Sequence, residues 1–165
     1  MRCNNFNIKV FVEDTDFQGY VYHANYLKYF ERARSQFLND YDISQVDEQT
    51  KGLFVIKDLF IKYVTPAKLE NELIVITDVS LKSKARLEFN QNMLFSNNTQ
   101  LCCEARIDVC YVDKQSKKPI TFDDRLLEVI KNGWNFCNRA IFSSNSCCEA
   151  RDTYFDNCIS ANMAH

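Results

Sequence analysis

The chain has 165 residues, 46% of them hydrophobic and 25% charged, which is the size and composition of one globular domain with a core of its own. Disordered and collagen-like chains are excluded. Twenty Lys+Arg against 22 Asp+Glu leave a net charge of -2, so only local basic patches remain, without the broad positive field of a general nucleic-acid binder.

No apolar run reaches the roughly 20 residues of a membrane-spanning helix. The opening MRCNNFNIKVF also lacks the uncharged core of a signal peptide. A soluble, cytoplasmic protein is expected. The eight cysteines stand at 3, 102, 103, 110, 137, 147, 148 and 158, with no C-x-x-C pair, so zinc ligation is not expected. Adjacent cysteines do not bridge each other easily, and we read these thiols as small buried or passive groups. With His23 and His165 as the only histidines, chemistry that needs two of them is excluded.

In chain order, Phe6, Ile8, Val10 and Val12 alternate with polar or opposite-facing residues, which predicts a strand buried on one face. The polar loop Glu13 to Gly19 follows. Tyr22, Tyr26, Tyr29, Phe30, Ala33 and Phe37 then recur at spacings of three and four, predicting an amphipathic helix over 23–40. Beyond Gly52 the period changes to two, giving strands at Leu53 to Val64, Leu73 to Leu81, Leu87 to Phe95 and Leu101 to Val112. In the last, Leu101, Cys103, Ala105, Ile107, Val109 and Tyr111 share one face, against Cys102, Glu104, Arg106 and Asp108 on the other.

Thr65-Pro66-Ala67, Ser83-Lys84 and Ser96 to Thr99 are too short for crossover helices, so antiparallel neighbours are expected throughout. A closing helix from Phe122 to Lys131 ends at Asn132-Gly133. One long helix and a run of antiparallel strands must cover each other, which predicts an α+β domain over 1–133. Residues 134–165 read as an appended C-terminal tail, with a short helix near Trp134 to Ile141 or an irregular course as the open alternatives.

The densest polar group is Glu13-Asp14-Thr15-Asp16, which leads past Gly19 into the helix near His23. Such a junction sets carboxylates beside the unbonded N–H groups at the positive end of a helix. Those groups can hold a carbonyl oxygen as it turns negative, while a carboxylate attacks the carbonyl carbon or activates water. The same D-x-D is also ordinary turn and capping chemistry, or a weak Mg²⁺ site, and the local pattern leaves these readings open.

The stretch VEDTDFQGYVYHANY from Val12 to Tyr26, followed by YFERAR from Tyr29 to Arg34, resembles the signature of the hotdog-fold acyl-CoA thioesterases. Within that family it is similar to the small bacterial thioesterases associated with the Tol-Pal system and to the 4-hydroxybenzoyl-CoA thioesterases. A second block runs through Phe54-Val55-Ile56 and Tyr63 to Leu69, and the similarity extends to about residue 131.

The resemblance implies a hotdog fold, a long helix wrapped by a five-stranded antiparallel sheet, that hydrolyses acyl-CoA thioesters to the free acid and CoA. Asp16 is then the catalytic carboxylate, Asp14 its support and Gly19 the motif glycine. The oxyanion donors fall at His23 or its immediate neighbours. The His23 imidazole either orients water or substrate, or simply stands at the helix end. Tyr22, Asn25 and Tyr26 are motif positions for substrate binding, although Tyr26 by itself reads as a core aromatic. Glu31 and Arg34, three apart on one helix, are expected to form an intrahelical ion pair. Lys82, Lys84 and Arg86 cluster at a turn that either contacts the CoA phosphates or is a solvated edge.

No metal or redox cofactor is implied, and CoA enters only as part of the substrate. The resemblance also implies a homodimer or homotetramer with active sites at the dimer interface. The rival reading is a non-catalytic hotdog module that binds acyl carrier protein or acyl chains near the Tol-Pal machinery, against which the presence of both Asp14 and Asp16 argues. A hotdog dehydratase would need a histidine motif that the chain lacks.

Overall fold

The computed structural model describes residues 4–41, 43, 52–122, 124 and 126–128. Strand β1 (Asn4–Lys9) leads through a 3-10 turn (Val12–Asp14) and a tight hairpin into helix α1 (Asn25–Asp40). Four strands follow: β2 (Gly52–Tyr63), β3 (Glu72–Ser83), β4 (Arg86–Phe95) and β5 (Leu101–Asp113). They form one antiparallel sheet in the order β1-β3-β4-β5-β2. No helix among the described residues is long and apolar enough to cross a membrane.

The helix forms because its apolar residues make a single stripe. Tyr26, Tyr29, Phe30, Ala33, Phe37 and Leu38 are buried, while Lys28, Glu31, Arg32, Gln36 and Asn39 face solvent. That stripe packs on the inner face of the sheet, supplied by Leu73, Val75 and Val79 of β3, Leu87, Phe89 and Met93 of β4, and Ala105, Ile107 and Val109 of β5. Phe37 meets Phe89 edge to face at 6.1 Å. The outer face carries Asp78, Glu88, Asn90, Glu104 and Arg106, as the pleat requires.

Several expectations are corrected. The first strand ends at Lys9, and Val12, in the 3-10 turn, is 73% exposed rather than inward. The helix starts at Asn25, so Tyr22 precedes it and is half exposed. The Thr65-Pro66-Ala67 connection does not join neighbouring strands: β2 lies at one edge of the sheet, with β5 and β4 between it and β3. Its backbone bonds go elsewhere. Val64 and Thr65 N–H both reach the Cys102 carbonyl, and Ala67 accepts from Val21 N–H at 2.9 Å. The segment can therefore cross the end of the sheet without hairpin pairing.

Cys102 belongs to the wet face by alternation, yet it is buried beside Cys103. The register slips between Met93 opposite Cys103 and Leu94 opposite Leu101, which leaves Cys102 as an extra residue turned inward beside Tyr26. Burial pushes the Cys102 thiol up to about 11 and the Cys103 thiol up to about 12, so both stay protonated and unreactive at neutral pH.

The expected Glu31–Arg34 ion pair is not formed. Arg34 lies on the buried stripe and donates through Nη1 to Gln91 Oε1 at 3.0 Å, whereas the exposed Glu31 accepts from Ser35 Oγ. Gln91 in turn donates through Nε2 to the Phe30 carbonyl and to Thr77 Oγ1, which ties the middle of α1 to β3 and β4.

At the far end of the sheet Phe54, Tyr111 and Phe122 pack together, with centroids 5.1 to 6.4 Å apart. Asp124 and Leu126 to Glu128 are helical, and Phe122 and Leu126 are buried, as expected of the start of the closing helix. The rest of that helix and the tail 134–165 lie outside the described residues. Gly52 lies beneath the Tyr111 ring: a Cβ there would collide with Tyr111 Cζ and both Cε atoms. Gly52→Ala is expected to destabilise the chain by about 1–2 kcal/mol, an overpacking cost, in denaturant unfolding. An unchanged midpoint would contradict this packing.

Candidate active site

The loop after β1 is a three-residue hairpin. Thr15 bridges Val21, Asp16 N–H donates to the Tyr20 carbonyl at 2.8 Å, and Gly19 N–H donates back to the Asp16 carbonyl at 3.0 Å. The residue that closes such a turn takes the left-handed conformation, and Gly19 has φ 78°. Asp16 Oδ1 accepts from Gln18 N–H at 2.8 Å, and Oδ2 accepts no hydrogen bond among the described residues. The turn thus holds a half-buried carboxylate at its base with one oxygen left over, beside Phe17, which is 95% exposed.

Asp14 is buried and works through its backbone as much as its side chain. Its Oδ2 accepts from Phe11 N–H at 3.0 Å and closes the 3-10 turn. Its carbonyl accepts from Tyr22 N–H at 2.9 Å and from the Asn25 side-chain amide at 3.0 Å, which fastens the first residue of α1 to the loop. The Tyr29 hydroxyl is buried against Asp14 without a well-formed hydrogen bond. Burial first, and then that carboxylate, pushes the phenol above its ordinary value.

The helix start is open. Asn25 N–H bonds the Tyr22 carbonyl and Leu27 N–H bonds that of Ala24, but His23, Ala24 and Tyr26 N–H donate to no backbone carbonyl among the described residues. No side chain caps the helix either. Unbonded amides at the positive end of a helix are suited to a carbonyl oxygen that acquires negative charge. The His23 side chain is exposed against Tyr22, with centroids 4.4 Å apart. Tyr26 is 3% exposed, and its hydroxyl accepts from Ala67 N–H at 3.0 Å. It is therefore a core aromatic that also braces the helix against the crossing segment.

Residues 10–130 match the thioesterase-like superfamily. The chain belongs to this superfamily. It is 39% identical over 120 residues to an acyl-CoA thioesterase, YbgC, of Haemophilus influenzae, covering 72% of this chain and 87% of that one. It is 34% identical over 113 residues to the acyl-CoA thioester hydrolase YbgC of Escherichia coli, covering 68% and 84%. Among solved structures, a 1,4-dihydroxy-2-naphthoyl-CoA thioesterase from Synechocystis superposes with a TM-score of 0.75 over 79% of this chain and 96% of that one. At 17% identity that likeness speaks for the fold alone, which is the expected hotdog arrangement of one long helix on a five-stranded antiparallel sheet.

In this thioesterase-like chain the basic turn stands apart from the loop. The crossing segment brings Asn71 against Val10, so β3 begins near the loop, and Glu72 to Lys82 then spans about 33 Å of extended strand. Lys82 pairs with Glu88 and Arg86 with Asp108. The structure does not bring Lys82, Lys84 and Arg86 together with Asp16 within one chain. The Arg86 hydrogen bond holds the Asp108 carboxyl below the usual range. The stabilisation from the pair is then full above the ordinary aspartate value of about 3.9 and is lost as pH falls through the lowered folded value. The Tm difference between wild type and Asp108→Asn is expected to close on acidification through and below the ordinary aspartate range; a constant difference would contradict this pairing.

Sequence patterns assign no role to Tyr63, which the fold carries to the helix start: its hydroxyl donates to the His23 carbonyl at 3.0 Å. The only local signal is its place at the head of the second block, Tyr63 to Leu69, since a contact 40 residues apart has no periodicity to reveal it.

Proposed function

We propose that the chain hydrolyses acyl-CoA thioesters to the free acid and CoA, with Asp16 as the catalytic carboxylate and the open amides at the start of α1 as the oxyanion site. The observation that carries this reading is the hairpin, which presents a half-buried carboxylate with a spare oxygen and leads directly into an uncapped helix start. The curated relatives named as acyl-CoA thioesterases support the substrate class.

Attack on the thioester carbon by Asp16, or by a water from which Asp16 takes the proton, places negative charge on the same carbonyl oxygen. Collapse of that intermediate breaks the C–S bond, and the thiolate leaves as CoA after taking up a proton. If Asp16 attacks itself, water then cleaves the resulting anhydride. This chemistry calls on a carboxylate, water and the amides, with CoA present only as part of the substrate.

The site is completed in a homodimer. Strand β2 is a sheet edge and exposes Val55, Ile56 and Phe60 at 44%, 49% and 54%, the kind of edge that pairs with another copy unless it is blocked. Sedimentation is expected to give a dimer or larger assembly, and an active monomer would contradict this part of the reading. Catalysis is tested by incubation with aliphatic and aromatic acyl-CoAs. Loss of thioester absorbance is the signal to follow, because cysteines of the chain itself would add to a thiol-reagent signal. Conversion of at least one substrate to equal amounts of acid and CoA is expected, whereas saturable binding without conversion would favour a non-catalytic module.

A further inference from the structure

Resting on that reading of the site, we propose that Tyr63 is a positioning residue that aims the oxyanion amides by holding the peptide between His23 and Ala24. Tyr63 closes β2, and its hydroxyl donates to the His23 carbonyl oxygen at 3.0 Å. A trans peptide group is planar, with its C=O and N–H pointing in opposite directions, so a bond on the oxygen fixes the direction of the N–H. Holding the His23 oxygen therefore aims the Ala24 N–H. The preceding peptide is held in the same way: Asn25 N–H grips the Tyr22 oxygen at 2.8 Å and so aims the His23 N–H. Two consecutive peptides are thus anchored by their oxygens, and neither nitrogen has a backbone partner among the described residues. The first anchor belongs to the helix itself, but the second comes from an edge strand far away in sequence.

The anchor is itself braced. The Tyr63 ring stands edge-on to Tyr26 at 5.4 Å, Tyr26 receives Ala67 N–H, and Val64 and Thr65 N–H bond Cys102 in β5. Yet the ring is 48% exposed, so filling the core is not its main task. Burial of its inner part pushes the phenol above the ordinary tyrosine value, which keeps it a donor through neutral and mildly alkaline pH. Oxyanion stabilisation depends on dipoles fixed before the reaction. Loss of a whole donor typically costs about 10²- to 10³-fold in kcat, and a donor that is loosened rather than lost should cost less.

The test compares wild type, Tyr63→Phe and Asp16→Asn as full chains. Phe keeps the ring and its contact with Tyr26 but gives up the hydrogen bond. Tyr63→Phe is expected to lower kcat about 10-fold with KM within about two-fold and an essentially unchanged Tm, the pattern of an interaction realised in the transition state. An unchanged kcat in Tyr63→Phe, with wild type active and Asp16→Asn inactive, would overturn the role of Tyr63 and leave the site standing. A raised KM at constant kcat would overturn it too, by making Tyr63 a substrate contact. A wild-type chain that hydrolyses no acyl-CoA would end both readings.

Discussion

Replacement of Gln91 by Leu is expected to destabilise the fold by about 3 kcal/mol, a large share of the total stability of a domain of this size. Gln91 is 1% exposed and gives the buried Arg34 guanidinium its acceptor, while its own amide satisfies Phe30 O and Thr77 Oγ1. Burial lowers the Arg34 pKa, with Glu31 partly offsetting it, which shows that this charge is held at a desolvation cost. Leu keeps the volume but leaves that charge without its partner on the sheet, and removing one member of a buried polar group costs more than removing both. The double change Gln91→Leu with Arg34→Met should therefore recover much of the loss. Urea unfolding of wild type and the two variants measures this. A single Gln91→Leu with wild-type stability, or a double variant worse than the single, would show that the network is not what joins α1 to the sheet.

That network also shows where the sequence stops being legible. Period-two and period-3.6 patterns are local, so the five strands and the helix are readable to within a few residues, whereas Asp14, Asp16 and Gly19 are put forward by the resemblance of the loop to the thioesterase signature, the D-x-D alone leaving turn and capping readings open. Long-range pairing is another matter. Local spacing makes Glu31 the visible partner for Arg34, whereas Gln91 lies 57 residues off and reads as one polar position in a strand. The same blindness hides Tyr63, whose partner His23 is 40 residues earlier. It also makes the Thr65-Pro66-Ala67 connection look like a hairpin, although β2 pairs with β5, 40 or more residues further on, at the far edge of the sheet. Alternation misplaces Cys102 because one extra residue in β5 breaks the period without any Gly or Pro to announce it.

The second large effect is at Asp16. Asn keeps the oxygen that accepts Gln18 N–H at 2.8 Å, so Asp16→Asn preserves the turn and removes only the charge. If the carboxylate is the nucleophile or base, kcat should fall by roughly 10²- to 10⁴-fold with a much smaller change in KM. Asp14→Asn should cost less, since Asp14 holds α1 through its carbonyl, which the change leaves in place. If Asp16 were only a turn residue, Asp16→Asn would be nearly silent and Asp16→Ala would lose the Asx bond, at about 1 kcal/mol of stability with turnover per folded molecule intact. The two hypotheses therefore move different quantities in different variants. The deciding measurement is kcat and Tm together on purified wild type, Asp16→Asn and Asp16→Ala with one acyl-CoA substrate. An Asn variant with wild-type Tm and at least about 100-fold lower kcat is the predicted result, and an Asn variant that turns over like wild type would contradict the assignment of the catalytic carboxylate.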